Sequence, residues 1–235
     1  MNKRKVISWT LYDWANSAFA TTVMAGFFPI FFEKYWSNPE LVDKSTFYLG
    51  LSNSVGSLIV AAMAPFLGAI SDTGSTKKKF LFTFAFLGIL STSLLWFVKQ
   101  GDWQLAAIIY AVACVGFASG NVFYDSLLPS VAKKDELDFV SSLGFSLGYL
   151  GGGILFVVNI LMYQNPEWFG IPDTSTAIRL SFVSVAIWWA IFSIPIFLFV
   201  PEKENNSNVP FGEAVSLGWL QLKSTFKEIK KNTWD

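Results

Sequence analysis

Six runs of mostly apolar residues constrain this chain more than any other feature: Leu11–Phe32, Phe47–Ser71, Phe80–Val98, Trp103–Pro129, Phe139–Tyr163 and Leu180–Val200. A bilayer core about 30 Å thick is crossed by about 20 such residues in helical form, at about 1.5 Å of rise each. The breaks between the runs, such as Lys77-Lys78-Lys79, Lys99-Gln100-Gly101-Asp102 and Lys133-Lys134-Asp135-Glu136, are too short to hold a domain. The expected fold is an all-α membrane protein, a six-transmembrane-helix bundle over residues 1–200. Charged residues make up 14% of the chain, well under the roughly 25% of a soluble domain, which agrees with that class.

Charge and rare residues narrow the function. Lys and Arg number 17 and balance 17 Asp and Glu, so no basic face is expected for nucleic acid and no acidic tail for a basic partner. His is absent and Cys114 is the single thiol. That removes His-based metal sites, Ser-His-Asp triads, Cys-pair zinc sites and an intrachain disulfide. No metal and no cofactor is expected, and chemistry falls to carboxylates, amides, hydroxyls and aromatics.

Positive residues predict orientation, because loops rich in Lys and Arg stay cytoplasmic. With the amino terminus inside, 13 of the 17 basic residues lie on the inner side, leaving Lys34, Lys44, Lys99 and Arg179 outside. Both termini are therefore expected in the cytoplasm. The first run is too long for a signal-peptide core and lacks a small-residue cleavage site, so it reads as a retained helix. After Pro201 the chain turns polar, and Val215, Trp219, Leu222, Phe226 and Ile229 then recur at spacings of four and three. Residues 201–235 are thus expected to be a cytoplasmic linker with an amphipathic helix lying on the inner membrane surface; a tail helix packed on a neighbour is the alternative. The stop at Trp234-Asp235, without a polar tail, reads as a chain cut from something longer.

Asp13 and Asp125 are the only acidic or basic residues inside the six runs. A charge at membrane depth costs on the order of 2.5–3.5 kcal/mol, so it normally faces a cavity or a partner. Helical spacing puts Asp13 on a face with Asn16, Ser17, Ala20 and Met24. The functional reading is a gate or coupling carboxylate; the alternative is an interfacial Asp capping the helix amino end. Asp125 follows Asn121 on the fourth helix and precedes Pro129, and it is open between a functional carboxylate and one in the headgroup region. Asn53 and Asn159 read at least as well as hydrogen bonds between helices. Tyr12, Trp14 and Tyr124 are explained by an interfacial aromatic belt. Gly144, Gly148 and Gly152, four residues apart with Gly151 and Gly153 beside them, clear a strip for close approach of another helix. They are expected to pack rather than to bind phosphate.

The run Tyr12-Asp13-Trp14-Ala15-Asn16-Ser17-Ala18-Phe19 resembles the opening helix of the vacuole-effluxer family of the major facilitator superfamily. The stretch from Ala20 to Val23, Phe28-Pro29, and Asn121-Val122-Phe123-Tyr124-Asp125-Ser126-Leu127-Leu128-Pro129 fit the same family. Gly68, Asp72, Lys77 and Lys78 are similar to the superfamily's loop motif between the second and third helices, a gating element on the inner side. Here Thr73 stands where a basic residue is usual, and Gly74 comes one position early. The run from Gly144 to Gly153 resembles a fifth-helix motif of exporters, with Tyr149 in place of proline. This resemblance implies a twelve-helix transporter of two halves, of which this chain matches the amino-terminal one, with the first and fourth helices along the cavity. It also implies amino acids as the substrate class.

The expected function is therefore a secondary active transporter of a small solute, in a bacterial inner membrane, working with a carboxy-terminal six-helix half. Asp13, Asn16, Ser17, Asn121 and Asp125 are the candidates for substrate binding or coupling. Two readings compete. Two Tyr-Asp pairs in membrane helices fit an intramembrane enzyme in which two carboxylates share a proton, although no Gly-x-Gly-Asp sequence occurs. A six-helix scaffold without transport is the other.

Overall fold

Apolar runs of this length become continuous helices, and the computed structural model carries the first, second and fifth of them beyond both ends of their apolar windows. It describes residues 2–37, 42–73 and 76–202 together with Ser216, Trp219 and Leu220. The amphipathic helix expected over 201–235 lies outside the described residues apart from those last three positions. Helix α1 spans Lys3–Trp36. Then come α2 (Val42–Thr73), α3 (Lys77–Leu94), α4 (Trp103–Ser126), α5 (Leu137–Gln164) and α6 (Thr174–Phe199). Six of the described helical segments are long and apolar enough to cross a membrane, and no strand occurs among the described residues.

Helix α1 is not uniform. It is α-helical over Lys3–Ala18, widens to a π-helix over Phe19–Phe27, returns to α over Phe28–Phe31 and widens again over Phe32–Trp36. Pro29 stands just after the first wide stretch. It has no N–H to donate, and its ring crowds the carbonyl four residues back, so a wider turn relieves an otherwise broken ladder.

The helices pair in a symmetric way. Helix α1 packs on α5 and α6, α4 packs on α2 and α3, and α3 meets α6. The first helix of each triplet thus lies against the second and third helices of the other, the pairing expected of two three-helix repeats. The centre is aromatic: Trp9, Tyr12, Phe19, Phe28, Phe32, Trp36, Phe123, Phe182 and Trp189 are fully buried. Glycines set two of the crossings. At Gly116 of α4 a Cβ would lie 2.6 Å from Gly88 N and 2.8 Å from Phe84 O, both of α3. The Trp189 ring of α6 fills the space over Gly88.

Both ends are tied. At one, Trp36 Nε1 donates to Val98 O (3.3 Å), Gly101 N–H donates to Tyr35 O (3.2 Å), and the Arg179 guanidinium lies over Trp96 at 5.1 Å. Gly101 turns at φ +88°, which favours glycine. At the other, Lys77 Nζ donates to Ser126 O and Lys78 Nζ to Val200 O, each at 3.0 Å, while Lys77 N–H donates to the Glu202 carboxylate. Cations on the last carbonyls of α4 and α6 complement the negative ends of those helices, worth about 0.3–1 kcal/mol each. Arg4 adds a cation over the Phe199 ring at 3.7 Å.

Candidate functional site

An open cavity of about 470 Å³ lies between α1, α4 and α5. Asp13, Ser17, Ala20, Thr21 and Ala25 of α1 form one wall; Phe117, Asn121, Tyr124 and Asp125 of α4 form the facing wall; Phe145 and Tyr149 of α5 close a side. Neither α3 nor α6 contributes to it.

The carboxylates arrive there by different routes. Asp13 sits well inside α1, whose amino end is capped by Asn2 through its side-chain oxygen and Lys5 N–H (3.3 Å), so the capping reading of Asp13 is wrong. Ser17, one turn on, donates its hydroxyl to Asp13 Oδ1 at 3.1 Å. Asp125 lies one turn beyond Asn121 and is exposed to the cavity. Among the described residues no hydrogen bond joins the two carboxylates, and no Lys or Arg is among the cavity-lining residues. The wall is therefore acidic, with Asn121 and the aromatic faces of Phe145 and Tyr149 around it; those two rings meet edge to face at 4.8 Å.

Asn16 has another place. It is buried, and its Nδ2 donates to Asn121 Oδ1 at 2.5 Å, a bridge from α1 to α4 that leaves it off the cavity wall. The face predicted at α-helical spacing also changes along α1. Ala20 and Ala25, five residues apart, line the cavity, whereas Met24 packs against the core. A π-helix closes its turns at i+5, and that shift re-aims the second half of the stripe.

The glycine strip of α5 faces this stretch of α1. A Cβ on Gly144 would lie 2.6 Å from the Trp9 ring, one on Gly148 2.7 Å from Ser17 Oγ and 2.8 Å from Asp13 Oδ1, and one on Gly152 2.9 Å from Ser17 O. Gly153 has open space beside it. Because the strip lets α5 approach, Thr21 Oγ1 can donate to Gly152 O at 3.2 Å, a contact between helices that the spacing alone did not single out.

Tyr12 and Tyr124 are core residues rather than an interfacial belt. Tyr124 stacks on Trp9 at 4.3 Å and on Tyr12 at 5.1 Å, and Trp9 Nε1 donates to Tyr124 O at 3.0 Å. Their ring faces need apolar neighbours, and the α1–α4 crossing supplies them. Trp14 is half-buried, stacked on Trp188 at 5.8 Å, and its carbonyl accepts from Trp188 Nε1. Asn159 is buried and accepts from Ser184 Oγ of α6 at 3.0 Å, a hydrogen bond between helices, while Asn53 lies exposed on α2. Of the loop-motif residues, Lys77 and Lys78 hold the ends of α4 and α6, and Gly68 is half-buried on α2. The Asp72 side chain lies outside the described ones.

Sequence reasoning missed the α3–α4–α6 junction of Gly88, Gly116 and Trp189. Gly116-Phe117-Ala118-Ser119-Gly120 carries two glycines four apart, the same signal that marked α5. Phe145 and Tyr149 were also not foreseen as cavity residues, since which face of α5 meets the cavity depends on which face meets α1.

A bundle of six helices long and apolar enough to cross a membrane, with an acidic cavity on the first and fourth, defines the class of polytopic integral membrane proteins. The comparison with known sequences makes the class specific: the chain belongs to the family described as "Vacuole effluxer Atg22 like", whose profile matches residues 40–233. It is 35% identical over 226 residues to the "Uncharacterized MFS-type transporter YxiO" of Bacillus subtilis (strain 168), covering 95% of this chain and 52% of that protein. It is 25% identical to an "Uncharacterized protein" of Aquifex aeolicus (strain VF5), covering 96% of this chain and 54% of the relative. It is 20% identical to "Autophagy-related protein 22" of Eremothecium gossypii, covering 93% and 52%. The chain spans about half the length of the curated relatives it matches. No solved structure matches it.

Proposed function

We propose that this chain forms one six-helix wall of a secondary active transporter for a small solute, in which Asp13 and Asp125 hold the substrate or the coupling ion. The observation that carries the reading is the cavity: two carboxylates from α1 and α4 face one open space with no basic residue among its lining. Such a wall attracts a cation, either a proton or the ammonium group of an amine or amino acid, and the Phe145 and Tyr149 rings add cation–π attraction. Amino acids are accordingly the first substrates to try. Residues 1–200 act as a half-domain that rocks against a second six-helix half, and 201–235 link the two on the cytoplasmic side. Both chain ends lie in the cytoplasm and the membrane is a bacterial inner membrane. The Ser17 hydroxyl on Asp13 and the Asn16–Asn121 bridge hold the wall in register.

The test is transport in proteoliposomes with a panel of labelled amino acids, comparing the parent with Asp13→Asn and Asp125→Asn, which keep shape and remove charge. Loss of response to an imposed proton gradient with exchange retained assigns coupling to the altered carboxylate. Loss of all transport by at least tenfold assigns it to the binding wall. If both variants, equally expressed and monodisperse, transport and respond as the parent does, the carboxylates are structural and the proposal fails.

A further inference from the structure

The face where α3 meets α6 takes no part in the cavity, yet it is not a plain lipid-facing surface. Lys78, Lys79 and Phe82 of α3 with Ile194, Phe197 and Leu198 of α6 line a separate groove of about 570 Å³. Its residues are ordered along the helix axes. The lysines occupy the first turn of α3. Phe82 lies about one turn further in and packs edge to face on Phe197 at 5.6 Å. Ile194 lies about 9 Å inward from Val200 at about 1.5 Å per residue. Phe82, Ile194 and Leu198 are 57%, 52% and 66% exposed, so the slot opens at the outer surface of the bundle.

The two lysines differ. Lys78 Nζ is engaged by Val200 O. Lys79 is exposed, and its side chain makes no hydrogen bond or ion pair among the described residues. The carboxylate close by, Glu202, accepts from Lys77 N–H. A free ammonium at the membrane surface above an apolar slot complements a molecule with an anionic head and a hydrocarbon tail.

We infer that the α3–α6 groove is a binding site for an anionic phospholipid. Lys79 pairs with its phosphate, Lys78 adds positive charge beside it, and an acyl chain runs over Phe82, Phe197 and Leu198. A zwitterionic lipid would bring a third cation to a rim that already holds two.

Native mass spectrometry of the protein purified in mild detergent tests this, with phosphatidylglycerol and phosphatidylcholine of matched chains as probes. Phosphatidylglycerol is expected to bind more tightly. Lys79→Gln should weaken it about fivefold, from the loss of one surface cation, and Lys79→Glu further, with phosphatidylcholine unchanged. Leu198→Asp should weaken both lipids. Equal binding of the two lipids by the parent overturns the assignment. So does an equal effect of Lys134→Glu, an exposed lysine of the α4–α5 turn, because the effect would then be general surface charge. Displacement of phosphatidylglycerol by inorganic phosphate, with Leu198→Asp silent, would assign the lysines to a free anion. A severalfold gain in lipid binding on deleting residues 211–235 would assign the groove to that segment. The Lys79 side chain makes no hydrogen bond or ion pair among the described residues, so its variants should elute from gel filtration as the parent does.

Discussion

Replacing Gly116 by Ala tests the packing argument at its tightest point. In an open helix this exchange stabilises by about 0.8–1.0 kcal/mol, because Ala loses less backbone entropy. Here the new methyl would lie 2.6 Å from Gly88 N, 2.8 Å from Gly88 Cα and 2.8 Å from Phe84 O. All three atoms are backbone, so no rotamer change relieves them. To reach ordinary contact at 3.4 Å the two helices must part by about 0.8 Å, a gap that forfeits a quarter to a half of the dispersion energy of the atoms facing it. Overpacking of this kind costs about 1–3 kcal/mol. Three unyielding contacts place it near the upper figure, so the net expectation is about 2 kcal/mol of destabilisation after the propensity gain. Gly153→Ala is the control, since a Cβ there meets nothing within 4 Å, and it should be neutral or stabilising. Thermal unfolding in detergent, followed by gel filtration with fluorescence detection, should show Gly116→Ala melting about 4–8 °C below the parent. If Gly116→Ala melts with or above the parent, or the two variants shift alike, α3 and α4 are not in backbone contact there and the account of the crossing fails.

Topology is checked by single cysteines after Cys114 is replaced: an impermeant thiol reagent added to intact cells should label a cysteine at Glu167 and spare one at Lys134, and the reverse pattern refutes the orientation. Asp173 caps α6, accepting from Thr176 N–H at 2.8 Å and Thr176 Oγ1 at 2.9 Å. Asp173→Ala should cost about 1 kcal/mol in the same unfolding assay. The Thr176 backbone and hydroxyl hydrogen bonds hold the Asp173 carboxyl below its ordinary range. This contribution is therefore present above about pH 4 and lost as pH falls through the lowered value, so the difference between parent and Asp173→Ala should shrink in acid; a constant difference down to pH 3 contradicts it.

Much of this protein is decided by local sequence. Twenty apolar residues in a row have one common solution in a bilayer, so helix number and class follow from counting. A charge buried in hydrocarbon is costly enough that Asp13 and Asp125 stand out without coordinates. Glycines four apart mark a helix face wherever they occur, as on α5. Three features needed the folded chain. The π-helical stretch ahead of Pro29 changes the period from which faces are read, so Ala25 rather than Met24 meets the cavity. Tyr12 and Tyr124 are amphipathic enough for either an interface or a core, and only the α1–α4 crossing puts them in the core. Asn16 and Asn121 lie 105 residues apart, and nothing in either segment says that the amide on α1 is spent on the amide on α4. Period and polarity are properties of a segment, whereas the partner of a side chain is a property of the packing.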